Sequence, residues 1–307
     1  MALLPELLER QAEIHPSRVA LQGPNSAFTN AQVMQAARAL ADQLSRLGVR
    51  RAGLCGDNSV AWVLADLACL LADVVCVPVP VFFSQSQTSH LIERAGLDGL
   101  FSVEADTGSQ HLGHGVWFRS LPVSAAGARM PKQTAKITFT SGSTGTPKGV
   151  CLSVGQMTAT TLALKERLAG VELAGVEPER HLCILPMATL LENIAGIYLP
   201  LLMGGTVMVA PLQTLGMTGS SGLDLDRLVR GINQSRPQSL ILVPELAMAL
   251  VTAAEQGQLK NTSFRFLAVG GGRVSSELLV RGRAAGLPLY EGYGLSECSS
   301  VVALNVP

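Results

Sequence analysis

Short apolar runs alternate with longer amphipathic segments along most of the chain. Residues 74–78 form a continuous apolar run, which is typical of a parallel strand that is covered on both faces. Segments 30–47 and 153–168 follow capping residues and are predicted to be helices. This alternation predicts an α/β fold with two layered, mostly parallel sheets and helices on both faces. Ligands of such sheets bind beyond the carboxyl ends of the strands.

Local start and stop signals place the individual elements. Thr29 or Asn30 is predicted to cap a helix that Gly48 ends, and Pro244 fits the first turn of a helix that runs to Glu255. A hairpin is also predicted at 18–29. Strands are predicted at 53–56, 74–78, 100–103, 182–185, 206–209, 239–243 and 264–269. Further helices are predicted near the N-terminus, at 59–71, from 86 onwards, at 190–203, in a segment that ends at 235, and from 275 onwards.

Two polar, glycine-rich segments are predicted to lack regular structure, 104–134 and 213–224. His111 and His114 lie in the first of them. Two histidines without further ligands are more often solvated than bound to a metal, so we predict no metal site there.

The composition fits a large buried core. Of the 307 residues, 48% are hydrophobic and 15% charged. A formal net charge of zero and an aromatic content of 4% argue against a nucleic-acid partner. The six cysteines form no Cys-x-x-Cys pair and mostly lie in apolar runs. That usage predicts reduced thiols in a cytoplasmic protein.

The longest uncharged stretch, 194–212, has the length of a membrane span. Pro200 and the pair Gly204-Gly205 interrupt it, and 206–209 is predicted to be a strand. The amphipathic, charged N-terminus is unlike a secretory signal. We therefore expect a helix, a turn and a buried strand here, and no membrane span.

The most informative stretch is 137–150, where an apolar lead-in precedes a loop of hydroxyls and glycines that ends in a lysine. Inward-facing backbone N–H groups and hydroxyls can hold phosphate oxygens, and the lysine adds a positive charge. Pro147 and Gly149 flank that lysine, so the loop is not a Walker A motif. A flexible Ser/Gly linker is disfavoured by the apolar flanks. The predicted phosphate-binding residues are Thr140, Ser141, Gly142, Ser143, Thr144, Gly145, Thr146 and Lys148.

A second stretch, Tyr-Glu-Gly-Tyr-Gly-Leu-Ser-Glu at 290–297, combines groups that suit a nucleotide. Tyr293 lies between two glycines and can stack on a planar base. Ser296 offers a hydroxyl, and Glu297 offers a carboxylate suited to Mg²⁺. Alone, this stretch fits an ordinary glycine-rich turn equally well. A third stretch, 269–274, contains Gly-Gly-Gly but lacks the glycine spacing of a dinucleotide-binding turn.

These stretches resemble the signatures of the adenylate-forming enzymes, which include acyl-CoA synthetases, luciferases and peptide-synthetase adenylation domains. The first resembles their phosphate loop. The second resembles their Tyr-Gly-x-Thr-Glu motif, with Ser296 in place of threonine, and the third resembles their Gly-Gly-Ala-Pro turn, with Gly272 and Arg273 at its end. Segment 185–193 is similar to the Leu-Pro-x-x-His-x-x-Glu segment of fatty acyl-CoA synthetases, with Thr189 at the histidine position.

The resemblance implies a role for each matching residue. Lys148, Ser296 and Glu297 would be catalytic, and Glu297 would bind Mg²⁺. The adenine and α-phosphate would lie against Gly270, Gly271, Gly272, Glu291, Gly292, Tyr293 and Ser296. The acyl group would lie against Thr189, Leu191, Ile194 and Val243, although Leu190, Leu191 and Ile194 fit a core helix equally well.

The implied activity is ATP-dependent conversion of an apolar carboxylic (fatty) acid to acyl-AMP, followed by transfer to CoA. Segment 185–203 carries no Asp that could hold an amino acid's ammonium group, which disfavours a peptide-synthetase domain. Two alternatives stay open: a non-catalytic module that binds nucleotide or acyl groups, and an adenylation domain that delivers the acyl group to a carrier protein. A homodimer is also compatible with the sequence.

The resemblance also implies how the chain is divided. Residues 1–307 would be a truncated N-terminal domain that lacks the β-barrel part and the C-terminal domain of the family. One unit, about 51–170, would carry the phosphate loop, and the second, 1–50 plus 171–307, would carry the adenine and acyl pocket. We expect such a chain to fold and bind nucleotide with little turnover.

Overall fold

The structure of the protein is a computed structural model that describes residues 2–122, 129–140, 146–169, 179–218, 222–260 and 263–307. It contains two large sheets with helices packed against them, which confirms the predicted α/β fold class. The first has eight strands in the order β17-β16-β15-β14-β10-β11-β1-β2. These are β1 (Val19–Gln22), β2 (Ala27–Thr29), β10 (Arg180–Leu182), β11 (Thr206–Met208), β14 (Ser239–Leu242), β15 (Phe266–Val269), β16 (Leu289–Leu295) and β17 (Ser300–Leu304).

The second sheet has seven strands in the order β6-β7-β5-β3-β4-β8-β9. They are β3 (Arg51–Cys55), β4 (Val75–Pro78), β5 (Gly99–Ser102), β6 (Gln110–Gly113), β7 (Val116–Ser120), β8 (Thr134–Thr140) and β9 (Lys148–Ser153). Central pairs in both sheets are parallel, whereas β2, β6, β7, β9 and β17 pair antiparallel. A separate short hairpin joins β12 (Met217–Thr218) to β13 (Gly222–Leu223).

Six of the described helices begin directly after a polar capping residue, and the helix predicted from 86 begins after Ser84. Thr29, Ser59, Ser84, Ser153, Asp224 and Ser275 each accept a hydrogen bond from a backbone N–H in the first turn of the helix that follows. The helices are α1 (Leu4–Ile14), α2 (Asn30–Leu47), α3 (Val60–Leu71), α4 (Gln85–Ala95), α5 (Val154–Leu168), α6 (Leu199–Met203), α7 (Leu225–Ser235), α8 (Pro244–Glu255) and α9 (Ser276–Ala284). None of the described helices has the length and apolar composition that a membrane span requires.

Two predictions about regular structure are wrong. Segment 104–134 contains the β6–β7 hairpin, because Val116 and Phe118 alternate inward and Phe118 packs on Phe101 with ring centroids 5.4 Å apart. Segment 213–224 contains a 3-10 turn and the β12–β13 hairpin. The helix predicted at 190–203 is confirmed, and its central part, Glu192–Tyr198, is a π-helix that continues into α6.

Most of the core lies between the two sheets. Its largest cluster of buried side chains draws on both sheets, on α1, α2, α3 and α5, and on the π-helix. A second cluster packs α7, α8 and α9 against the eight-stranded sheet. The six cysteines all lie within the described ranges and are free thiols.

A fully buried ion pair joins the two halves of this core. Lys136 on β8 donates to the Asp66 carboxylate of α3 at 2.6 Å, and neither side chain is exposed. Asn193 and Tyr198 of the π-helix complete the group: the Lys136 ammonium donates to Asn193 Oδ1 at 2.5 Å, and the Tyr198 hydroxyl donates to Asp66 at 2.6 Å. Burial and the Asp66 charge raise the pKa of Tyr198 well above its usual value, so the phenol keeps the proton it donates.

This ion pair gives a stability prediction. Lys136→Met leaves the Asp66 carboxylate buried without its cation, and we expect the free energy of unfolding to fall by about 3–5 kcal/mol. The double variant Lys136→Met/Asp66→Leu removes both charges and should be more stable than the single variant. Urea unfolding measures both effects.

The matched control is the exposed pair Arg38–Glu9, which has the same kind of contact at 2.8 Å. Arg38→Met should cost less than about 1 kcal/mol, because solvent screens an exposed pair. If the Lys136 and Arg38 variants lost equal stability, the buried pair would not hold the core together.

Candidate nucleotide and acyl site

One cavity of about 260 Å³ is lined by residues of both the predicted nucleotide site and the predicted acyl site. It lies against the eight-stranded sheet, α5 and the π-helix, and most of its wall is apolar. From the predicted nucleotide site it is lined by Gly270, Gly271, Gly292, Tyr293 and Ser296, and from the predicted acyl site by Thr189 and Leu191. The fold therefore brings together segments that are about 80 to 100 residues apart in sequence.

The glycine turn lies beside the Tyr293 segment because β14 and β15 end level with Glu291, from which β16 continues to Tyr293. β14, β15 and β16 are parallel neighbours, with Val269 level with Leu242 on one side and Glu291 on the other. The turn at 270–272 leaves β15 at that level, and the Gly270 N–H donates to the Leu242 carbonyl at 2.9 Å. Val243, predicted to contact the acyl group, is half-buried beside this turn.

Tyr293 is presented to solvent, with 64% of its surface exposed. It lies on β16 between Gly292 and Gly294, and its strand is held by antiparallel pairing with β17. Gly294 allows that pairing, because a Cβ at this position would collide with the Ser300 carbonyl oxygen. An exposed, flat ring on a firmly paired strand can take a planar base without rearrangement.

β8 and β9 pair antiparallel and flank the predicted phosphate loop in sequence. Thr140 ends β8 and lies opposite Lys148, the first residue of β9. The predicted residues Ser141, Gly142, Ser143, Thr144 and Gly145 lie outside the described residues. Thr146 and Lys148 are exposed, and the Pro147 carbonyl accepts from His90 Nε2 at 3.2 Å.

The two predicted nucleotide motifs approach each other across the sheets. β9 contacts the 3-10 turn Ser296–Cys298. Lys148 itself is not among the described residues that line the apolar cavity; it lines a separate pocket together with His90, Arg94 and Arg129. That pocket is strongly basic, which suits the outer phosphates of a nucleotide.

Glu297 lies in the same 3-10 turn and is exposed. Within the described part of the chain its carboxylate forms no hydrogen bond or ion pair. One free carboxylate fits the way proteins hold Mg²⁺, which takes its other ligands from phosphates and water. The role of Glu297 as a Mg²⁺ ligand stays a prediction.

The four predicted acyl residues differ in position. Thr189 is half-buried and lines the cavity, and its hydroxyl donates to the Pro186 carbonyl at 2.7 Å. Leu191 is half-buried and lines the cavity. Ile194 is fully buried in the core and is not among the lining residues, so its position matches the core-helix alternative.

Two polar residues at the cavity, His181 and Ser239, were not predicted from the sequence, and Glu192 was noted there only as part of the segment 185–193. His181 and Ser239 line it, and they lie side by side at the start of β10 and β14. His181 Nδ1 is 2.9 Å from the Ser239 hydroxyl, and Nε2 is 3.2 Å from the Glu192 carboxylate. The only sequence signal was a carboxylate, Glu192, inside an otherwise apolar segment.

Several curated proteins are similar to this chain over nearly its whole length. Phosphinothricin tripeptide synthetase PhsC of Streptomyces viridochromogenes is 25% identical over 97% of the chain, and the match covers 27% of that protein. 2-Succinylbenzoate–CoA ligase of Bacillus subtilis is 24% identical over 98% of the chain and 60% of the ligase. Feruloyl-CoA synthase of Amycolatopsis sp. is 27% identical over 94% of this chain and 58% of the synthase. The chain thus spans about three fifths of the length of these two ligases.

Solved structures share the fold. The anthranilate CoA ligase AuaEII, in complex with anthranoyl-AMP, superimposes with a TM-score of 0.79 at 17% identity, over 100% of this chain and 61% of that one. O-succinylbenzoate coenzyme A synthetase of Bacillus subtilis, in complex with ATP and magnesium ion, superimposes with a TM-score of 0.75 at 22% identity, over 98% of this chain and 62% of that one. A sequence profile of the AMP-binding enzymes matches residues 8–307. The chain therefore belongs to the family of AMP-binding enzymes.

Proposed function

We propose that this protein takes part in activating an apolar carboxylic acid with ATP, and that its cavity holds the acyl-adenylate. One observation carries the proposal: a single cavity is lined by the glycine turn and Tyr293 at one side and by an apolar wall at the other. An acyl-adenylate has the same two parts, a nucleotide joined to an acyl group. Membership of the AMP-binding enzymes supports the same chemistry.

In the proposed reaction a carboxylate oxygen of the acid attacks the α-phosphorus of ATP. The bond from the α-phosphorus to the bridging oxygen breaks, and pyrophosphate leaves with the electron pair. The glycine turn and Tyr293 hold the adenine, Ser296 lies near the α-phosphate, and Lys148 offsets charge on the departing pyrophosphate. When bound at Glu297, Mg²⁺ would neutralise further phosphate charge. The protein contributes mainly position and charge.

The acceptor in the second step is proposed to be CoA, whose thiol would displace AMP from the acyl group. Two of the similar proteins are named as CoA ligases or synthases, which favours this acceptor. The similarity to a peptide synthetase supports a second candidate, delivery of the acyl group to a carrier protein. The free cysteines fit a reducing compartment, and we propose a cytoplasmic location.

The acid is proposed to be apolar, with an aromatic or extended aliphatic body. Glu179 is the lining carboxylate among the described residues, and it directly precedes β10, at the end of the sheet opposite the glycine turn. No carboxylate of the described lining is therefore placed to pair with the ammonium group of an α-amino acid. Burying that group unpaired would be costly.

A panel of carboxylic acids tests this function. We expect ATP–pyrophosphate exchange, or binding of the matching acyl-sulfamoyl adenosine, to favour aryl and fatty acids over α-amino acids by at least about tenfold. Preference for an amino acid would contradict the proposal. Failure of every acyl-adenylate analogue to bind would favour a module with another ligand.

Tyr293→Ala tests the adenine position. Base stacking on an aromatic ring contributes about 1–3 kcal/mol, so calorimetry should show AMP binding weakened by roughly 5- to 150-fold. Tyr293→Phe keeps the ring and should bind normally. Val302→Ala is the matched control, because Val302 is also exposed, at 54%, on the neighbouring strand β17. Unchanged AMP affinity in Tyr293→Ala would place the adenine elsewhere.

Glu297→Gln tests the metal ligand. An amide cannot supply the anionic oxygen that Mg²⁺ prefers, so Mg²⁺ should strengthen ATP binding less in the variant than in the wild type. AMP binding should stay the same, because the ion is proposed to act on the outer phosphates. Glu277→Gln changes an exposed carboxylate on α9 and serves as the control. The same Mg²⁺ dependence in all three proteins would rule out Glu297 as the ligand.

A further inference from the structure

The apolar cavity has a polar group at one end. His181 and Ser239 are level with each other on adjacent strands, and both line the cavity while being only 2% and 6% exposed. Glu192 reaches the same group from the π-helix and is fully buried. We call Ser239, His181 and Glu192 the polar end of the cavity. Buried polar groups beside an apolar wall are costly unless each finds a partner.

Gly196 on the π-helix leaves space for the side chains of the polar end. A Cβ added to Gly196, one turn along the π-helix from Glu192, would come within 2.8 Å of His181 Nε2 and would also collide with the Glu192 carboxylate. The absence of a side chain therefore lets the imidazole and the carboxylate pack against the helix. One carboxylate oxygen of Glu192, Oε2, is buried and has no hydrogen-bond partner among the described residues. π-Helical turns are frequent at functional sites.

Within the polar end, the Ser239 hydroxyl can still form a hydrogen bond with a ligand. Both ring nitrogens of His181 are engaged, Nδ1 with Ser239 and Nε2 with Glu192. The Ser239 hydroxyl can form more than one hydrogen bond. If it donates to a neutral His181, its lone pairs remain to accept a bond; if a charged His181 donates to it, its own proton remains. A hydroxyl on the ligand satisfies either state, because it can donate or accept.

The polar end is well separated from the nucleotide end. Ser239 is level with Phe266 at the start of β15, and the glycine turn begins at Gly270, after that strand ends. At about 3.3 Å per residue, the two levels are roughly 13 Å apart. Lining residues such as Leu240 and Ala268 lie between them. An acid whose carboxylate reaches the nucleotide would therefore point its far end towards Ser239.

A metal site is the other arrangement that these residues could form. Cys183 lies close by, and ligand atoms of His181, Cys183 and Glu192 are all within 4.8 Å of one another. Metals bind the thiolate form of cysteine. Burial and the nearby Glu192 raise the pKa of the Cys183 thiol well above its usual value. Both ring nitrogens of His181 are already engaged, Nδ1 with Ser239 and Nε2 with Glu192, so the hydrogen-bonded group is the arrangement that the structure contains.

We propose that the polar end selects the substrate: the preferred acid has an apolar body and a hydroxyl group at the end distal to its carboxylate. Ser239 is the specificity-determining residue that contacts this hydroxyl, and His181 and Glu192 are positioning residues. The inference rests on the proposed function, because it assumes that the acyl group occupies this cavity. A site built to hydrogen-bond a hydroxyl discriminates strongly against an analogue that lacks it.

Paired acyl-sulfamoyl adenosine analogues test the proposal. In each pair the extended acyl chain ends either in a hydroxyl or in a methyl group, and several chain lengths are compared by calorimetry. At the best length the wild type should bind the hydroxyl analogue about tenfold more tightly. Ser239→Ala should remove this preference and leave binding of the methyl analogue within about twofold. Thr161→Val is the matched control, because it removes a buried hydroxyl that bonds only within α5 and does not line the cavity.

The outcomes separate this inference from the proposed function. Tight binding of both analogues without a preference at any length would overturn the inference alone, as would an unchanged preference in Ser239→Ala. Failure of both analogues to bind at every length would overturn the proposed function and the inference with it. The wild-type preference can be measured on its own, so the test does not depend on the stability of the variant.

Discussion

The ion pair between Lys136 and Asp66 is the contact on which the rest of the structure depends. Both side chains are fully buried between the two sheets. The two charges are stable there only because hydrogen-bond partners surround them. Those partners include Asn193 and Tyr198 of the π-helix. Lys136 belongs to β8, the strand that ends at the phosphate loop. The same interaction therefore ties the loop-bearing strand to the helix that lines the cavity.

The π-helix connects this interaction to the acyl side. Asn193 bonds the buried ion pair, while Glu192, the residue before it, bonds His181 at the polar end of the cavity. Two neighbouring residues thus serve two buried polar groups, which fixes the helix from both sides. A shift of the helix would break hydrogen bonds in both groups, and unpaired buried groups are costly. The cavity wall is for this reason expected to be rigid before a ligand binds.

Features that depend on local chemistry could be predicted from the sequence. The helix that Thr29 caps and Gly48 ends has the predicted limits, as does α8 from Pro244 to Glu255. Glycine-rich segments at the ends of strands also marked Tyr293 and its neighbours as a candidate site before any fold was known.

Features that depend on contacts distant in sequence could not be predicted. Lys136 and Asp66 are 70 residues apart, and His181 and Ser239 are 58 apart, so only strand register brings each pair together. The β6–β7 hairpin was hidden because only Leu112, Val116 and Phe118 of its two strands are buried. Ile194 could not be assigned to core or cavity, because both environments favour an apolar side chain.

The central claim is that one cavity holds the nucleotide and the acyl group together. The most direct measurement is a crystal structure of this chain with a non-hydrolysable acyl-adenylate analogue. We expect adenine between the glycine turn at 270–272 and the Tyr293 ring, with the acyl chain running along β14 and β15 towards Ser239. Adenine bound away from Tyr293, or an acyl chain directed into solvent, would contradict it.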